Sequence, residues 1–121
     1  MSKQDNFREL VLLEGANGKS PFEEWYKKIT DQKVRRSVLV HMTRLQNFNF
    51  TNFKSVGDGV FELRIFIGAA YRIYFAFEDT TIVVILLGGK KSSQKKDIKK
   101  AQKHWKEYQD ETQKNRKQFF I

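Results

Sequence analysis

The chain has no cysteine, so disulfides, thiolate nucleophiles and cysteine-based zinc clusters are excluded, and a reducing compartment is compatible with it. Its two histidines, His41 and His104, leave little for a histidine-based metal site. Long apolar runs are also missing. The longest, Ile82 to Leu87, is strand-sized, whereas a membrane-spanning helix needs roughly 18–20 such residues. The polar start, Met1 to Asn6, has no apolar h-region, which predicts no secretory signal and a cytoplasmic protein. No phosphate loop, nucleophile elbow, paired-histidine zinc motif, calcium loop or glycine-rich dinucleotide fingerprint occurs, so neither a metal nor a small-molecule cofactor is expected.

What the chain does have is enough apolar mass for one core: 121 residues, 40% hydrophobic and 14% aromatic. On area scaling, such a chain removes roughly two thirds of its unfolded surface from water. It also has an excess of positive charge, 23 Lys+Arg against 14 Asp+Glu, net +9. The excess is uneven. Residues 88–121 hold 11 basic and 4 acidic side chains, net +7, and residues 1–87 hold 12 and 10, net +2. A basic block at one end of a small domain is the footprint of a nucleic-acid binder; its bland alternative is a solvated helix face.

Local patterns predict the elements. Phe7 to Leu13 reads as a strand. Ser20-Pro21-Phe22-Glu23 has the cap, first-turn proline and glutamate of a helix start, and Phe22, Trp25, Tyr26 and Ile29 follow at helical spacing. Thr30-Asp31 caps a second helix to about Gln46 with the stripe Val34, Val38, Met42 and Leu45; His41 beside it reads as a packed or surface residue. The period then changes to two. Phe53–Val56, Val60–Ile67, Tyr71–Phe77 and Thr81–Leu87 are predicted strands, with a turn at Gly57-Asp58-Gly59. Their closeness requires antiparallel hairpins.

With a Gly68-Ala69-Ala70 turn, Ile65 would pair with Ile73, Arg64 with Tyr74 and Arg72 with Phe66. One face then collects Phe61, Leu63, Ile65, Ile67, Tyr71, Ile73, Phe75 and Phe77, for the helical hairpin to cover. The other collects Glu62, Arg64, Phe66, Arg72, Tyr74 and Glu78. Ser92 or Ser93 caps a third helix to about Tyr108, with the stripe Ile98, Ala101, Trp105 and Tyr108, Gln94 on the same side, and lysines elsewhere, His104 among them. The expected organisation is one domain over residues 1–108 and a polar, frayed tail over 109–121, ending in an apolar Phe119-Phe120-Ile121.

Arg64, Arg72 and Tyr74 thus fall beside a glycine-released loop, Gly88-Gly89-Lys90-Lys91, that leads to a helix N-terminus favouring anions. Arginine suits bidentate phosphate contact, and exposed aromatics stack unpaired bases. If RNA is cut there, the cations would stabilise charge on phosphorus as the 2′-hydroxyl attacks. The structural alternative is that these arginines pair with Glu62, Glu78 or the third helix.

The blocks Phe61-Glu62-Leu63-Arg64-Ile65, Tyr71-Arg72-Ile73-Tyr74-Phe75 and Leu86-Leu87-Gly88-Gly89-Lys90-Lys91-Ser92-Ser93-Gln94, with Lys96-Asp97-Ile98, Ala101 and Trp105, resemble the phage-derived, HigB-like addiction-module killer family of the RelE/ParE toxin superfamily. The resemblance runs from about residue 10 to Tyr108. It implies a compact α+β, RelE-like fold of order β-α-α-β-β-β-α. A helical hairpin and C-terminal helix would surround a mainly antiparallel sheet of four to five strands. It further implies a type II toxin–antitoxin toxin, a metal-independent endoribonuclease acting on mRNA at the ribosome, neutralised by a cognate helix-turn-helix antitoxin.

Carried over by position, Arg64, Arg72 and Lys91 would be catalytic, and Lys54, Tyr74, Lys90, Gln94 and Lys95 would contact RNA. Glu62 and Asp97 are the possible bases, each also explicable as an ion-pair or helix-terminus partner. The alternatives are a ParE-like non-enzymatic inhibitor of a protein such as DNA gyrase, or a phage protein that only binds RNA or an antitoxin. Ala70 stands where the family usually has glycine, and Lys90 where it commonly has aspartate. No tyrosine occupies Gln94 to Asp97, which leaves the proton acceptor open.

Overall fold

A computed structural model describes residues 8–47, 53–68 and 70–119. The elements are β1 (Glu9–Leu13), α1 (Pro21–Lys27), α2 (Gln32–Gln46), β2 (Phe53–Gly57), β3 (Val60–Ile65), β4 (Tyr71–Glu78), β5 (Ile82–Lys90), α3 (Gln94–Asp110) and β6 (Arg116–Gln118). The fold is α+β, with one six-stranded sheet in the order β2-β3-β4-β5-β1-β6. All neighbours are antiparallel except β1, which runs parallel to β5. None of the described helices is long and apolar enough to cross a membrane.

The helices begin where their caps predict. Ser20 accepts a bond from the Glu23 N–H at 3.2 Å with Pro21 in the first turn, and Asp31 accepts from the Lys33 N–H at 2.9 Å. In α2, Val34, Val38, Met42 and Leu45 are buried as their spacing demands. His41 is half-buried and its Nδ1 lies 2.7 Å from the Ser37 carbonyl, a packed histidine on the helix's own backbone.

The sheet buries both faces. Leu10, Leu12, Leu63, Ile65, Ile73, Phe75, Val83 and Ile85 pack under α1 and α2. On the other face Val11, Tyr74, Ala76, Val84 and Leu86 pack under Ala101, Trp105 and Tyr108 of α3. A period of two with apolar residues on each side is what makes β5 an interior strand, buried from Val83 to Gly89.

Four expectations are corrected. The β3–β4 register is shifted by two: Arg64 pairs with Arg72 and Glu62 with Tyr74, because the connection spans residues 66–70 rather than three residues. A shift of two leaves every side chain on its predicted face while changing its partner. Second, Gly88, Gly89 and Lys90 belong to β5, and a one-turn 3-10 segment, Lys91–Ser93, leads into α3. Third, the sheet has six strands, not four to five.

Fourth, α3 reaches Asp110 and the tail is pinned rather than frayed. Residues Arg116 to Gln118 pair antiparallel with β1. Lys114 Nζ donates to the carbonyls of Tyr108, Gln109 and Glu111 at 2.8–2.9 Å, a cation closing the α3 C-terminus. Arg116 pairs with Glu78, and Phe119 packs on the core; Phe120 and Ile121 lie outside the described residues. The Tyr108 hydroxyl donates to Glu78 at 2.6 Å, and burial with this bond pushes its pKa up to about 12.

Candidate functional site

On the α3 face two adjacent rows cross the sheet: Lys54, Glu62, Tyr74 and Leu87, then Arg64, Arg72 and Gly89. These rows hold the predicted cluster, but α3 has closed over part of it. Glu62 and Tyr74 are fully buried and Arg72 is 5% exposed, whereas Arg64 is half-buried and Lys54 exposed. The second face is therefore largely interior, not open as its polarity suggests.

Glu62 is the hub of the enclosed part. Its Oε2 accepts from the Tyr74 hydroxyl at 3.1 Å and from Gln94 Nε2 at 2.8 Å, and lies 3.4 Å from Arg72 Nε, an ionic contact. Its Oε1 is buried with no hydrogen-bond partner among the described residues. Burial, then the charge of Glu62 and its hydrogen bond, hold the Tyr74 pKa well above the ordinary tyrosine range, so this hydroxyl remains a donor. Of the two readings of Arg72, pairing with Glu62 is realised. Tyr74 has no exposed ring on which to stack a base, and Gln94 is engaged with Glu62 beneath the first turn of α3.

The second carboxylate candidate is enclosed too. Asp97 is 8% exposed and accepts from the Ser93 hydroxyl at 2.5 Å, an oxygen that also lies 3.2 Å from the Lys90 carbonyl. Ser93 thus makes no side-chain bond to the α3 backbone, and Asp97 takes the helix-terminus role. The paired glycines answer to close packing rather than backbone release. A Cβ on Gly88 would lie 2.2 Å from the Trp25 ring, and one on Gly89 would lie 2.0 Å from Asp97 Oδ2. Neither glycine is left-handed. They let α1 and α3 approach β5 from opposite sides.

The exposed part of the site is cationic. Arg64 faces Arg72 directly across the ladder, and among the described residues it has no hydrogen-bond or ion-pair partner. Like charges opposite one another are destabilising, and here one carboxylate serves one arginine. Lys91 and Lys95 are exposed at the entry to α3. Lys90, at the end of β5, is exposed as well; it pairs with Tyr71 and lines a cleft with Trp25, Lys28, Asp97 and Lys100. His104 lies farther along α3, half-buried, its pKa lowered first by burial.

The loop of residues 66–70 ties these cations together. Its Ala70 carbonyl accepts from the Lys91 N–H at 3.1 Å and from Arg72 Nη1 at 3.5 Å. Ala70 achieves this with φ 62°, a left-handed conformation that costs an alanine roughly 1 kcal/mol or more. The other described non-glycine residues there, Asp58 and Asp79, are of the type that tolerates it. Ala70→Gly should therefore stabilise the fold by about 1 kcal/mol, read as a thermal midpoint higher by a few degrees; an unchanged or lower midpoint would show no stored strain. Ala70 was legible as a departure from the resemblance, but its role as a shared acceptor required the register.

Sequence reasoning placed Phe66 in β3 opposite Arg72. The structure puts it in this loop, 65% exposed.

Known proteins place the chain. A family model described as "Phage derived protein Gp49-like" matches residues 24–109. An uncharacterized protein of Haemophilus influenzae (strain ATCC 51907 / DSM 11121 / KW20 / Rd) is 42% identical over 80 residues, covering 66% of this chain and 81% of that protein. No solved structure matches. The matched span runs from α1 to the end of α3 and so contains Arg64, Arg72, the Gly88-Gly89 packing and the Lys91 turn: the chain belongs to the phage-derived Gp49-like family.

Proposed function

We propose that the protein is the toxin of a type II toxin–antitoxin module, of the RelE/ParE and HigB-like kind, and that it acts in the cytoplasm as a ribosome-dependent mRNA endoribonuclease. The observation that carries this reading is the Arg64–Arg72 pair, two arginines opposite one another of which, among the described residues, Arg72 alone meets a carboxylate, the buried Glu62. Glu62 and the Ala70 carbonyl hold Arg72, and Arg64 is left to take a phosphate. Lys54, Lys91 and Lys95 are exposed around it for the flanking phosphates. As a 2′-hydroxyl attacks phosphorus and the bond to the 5′-oxygen breaks, leaving a 2′,3′-cyclic phosphate and a 5′-hydroxyl, water takes the 2′ proton and supplies one to the leaving oxygen, while Arg64 and Lys91 neutralise the added negative charge; the contribution of these side chains is electrostatic. The lysines of α3 add sequence-blind, salt-sensitive attraction to RNA.

The enclosure of Glu62 and Asp97 favours a second reading, in which the same surface inhibits a protein target such as DNA gyrase and cuts nothing. A reporter mRNA incubated with purified ribosomes separates the two. New 5′ ends that form only when ribosomes are present are expected; intact message together with blocked gyrase supercoiling would overturn the ribonuclease reading. The proposed partner in the cell is a small helix-turn-helix antitoxin encoded next to the toxin. Its co-expression should restore growth, and a neighbouring frame that encodes no such protein would count against the module.

A further inference from the structure

The exposed large apolar side chains among the described residues are Val40, Phe53 and Phe66. Phe53 is in ring contact with Phe61 and Phe75, and Val40 lies on α2, across the sheet from Arg64. Phe66 differs from both. It is 65% exposed and makes no ring or cation–π contact among the described residues.

The local backbone explains this presentation. The Ile67 N–H donates to the Ile65 carbonyl at 3.1 Å, closing a three-residue turn with Phe66 at its apex and φ outside the left-handed region. The Ala70 N–H then donates to the Ile67 carbonyl at 3.2 Å. Ile67 packs against the core, so the loop is anchored by one apolar side chain while its neighbour is turned out. The strained Ala70 and its bond to the Lys91 N–H fix the other end of the loop. Backbone strain and an exposed aromatic ring on a tightly tied loop are jointly costly, and both sit two to six residues from Arg64.

We infer that Phe66 is the stacking platform for an unpaired base of single-stranded RNA whose phosphate is held by Arg64. The inference rests on the RNA-site reading above and adds to it the element that selects unpaired over duplex RNA. The Cα atoms of residues 64 and 66 are at most about 7 Å apart, so a phosphate on one and a base on the other belong to the same or an adjacent nucleotide. The surrounding charge fits this occupant: Arg64, Arg72 and Lys91 flank the loop, and the two carboxylates described at the site, Glu62 and Asp97, are buried. Tyr74, the aromatic that sequence reasoning favoured for stacking, is buried and leaves this role to Phe66.

The test is binding of a labelled single-stranded oligoribonucleotide, its duplex and the single-stranded DNA of the same sequence to the full chain and to Phe66→Ala, Phe66→Leu and Phe66→Trp. Single-stranded RNA is expected to bind the unsubstituted chain. Phe66→Ala and Phe66→Leu should weaken that binding by about 5- to 150-fold, the range that ~1–3 kcal/mol per stacked base represents. Phe66→Trp should preserve it, and duplex binding should change little in any variant. Thermal midpoints should stay close to that of the unsubstituted chain, since the ring is exposed.

Equal binding by Phe66→Ala, or full retention by Phe66→Leu, would overturn the platform while leaving the RNA site standing. Absence of RNA binding by the unsubstituted chain would overturn both. Tighter binding of the DNA strand would overturn the RNA assignment. Unchanged RNA binding with lost neutralisation by the antitoxin would assign Phe66 to a protein partner instead.

Discussion

Arg72→Ala is expected to destabilise the protein by about 3–5 kcal/mol, enough to lower its thermal midpoint by roughly 10 °C or more. The reason is the environment of Glu62. This carboxylate is fully buried and Arg72 is the cation at its side, 3.4 Å away, while Tyr74 and Gln94 supply only neutral donors. Truncating Arg72 leaves an uncompensated buried carboxylate and a void under the first turn of α3. Glu62→Gln in the same background removes the charge and should return a large part of the loss, giving a coupling energy above about 1 kcal/mol in the double-mutant cycle. A single variant that unfolds within about 1 kcal/mol of the parent would show the pair to be energetically idle. A loss of the proposed message cleavage in Arg72→Ala would therefore not by itself mark a catalytic group.

Arg64→Ala is expected to behave in the opposite way. Its side chain is half-buried and unpaired among the described residues, and its neighbour across the ladder carries the same charge. Removing it relieves repulsion and leaves no partner stranded, so stability should change by no more than about 0.5 kcal/mol. If Arg64 neutralises charge on the scissile phosphate, message cleavage should fall by about 10²–10³-fold, as when a preorganised donor is removed from a reaction site. Arg64→Lys keeps the charge but loses the bidentate fork and should recover only part of the rate. Cleavage within a few-fold of the parent, in a folded Arg64→Ala protein, would remove Arg64 from the reaction. The two variants share one sheet face and one charge and differ in whether a carboxylate depends on them.

Much of the fold is legible along the chain because it is decided locally. Ser20 with Pro21 and Asp31 set the helix starts by satisfying free N–H groups, the stripe Val34, Val38, Met42 and Leu45 sets the buried side of α2, and alternation sorts β3 and β4 into faces. Register is less legible. Its error of two came from the length of one loop, which period-two alternation cannot sense. Along the sequence the tail reads as frayed, because its polar composition hides that Arg116, Lys114 and Lys117 each meet an acceptor far away or at a helix end: Glu78, the α3 carbonyls and Glu23.

The site divides along the same line. The sequence alone determined that basic and aromatic residues share the sheet face with Arg64 and Arg72, that the lysine excess lies in α3, and that thiolate chemistry is excluded. Only the tertiary structure decided which of these groups meet solvent. Once Ala101, Trp105 and Tyr108 of α3 settle on that face, Glu62, Arg72, Tyr74 and Asp97 are enclosed, while Arg64, Lys54, Lys91 and Phe66 remain accessible. The physical reason is that alternation fixes the side of a strand from which a side chain leaves. Whether that side is water or interior depends on where a helix distant in sequence comes to rest, and Gly88 and Gly89 set how closely helices can approach β5.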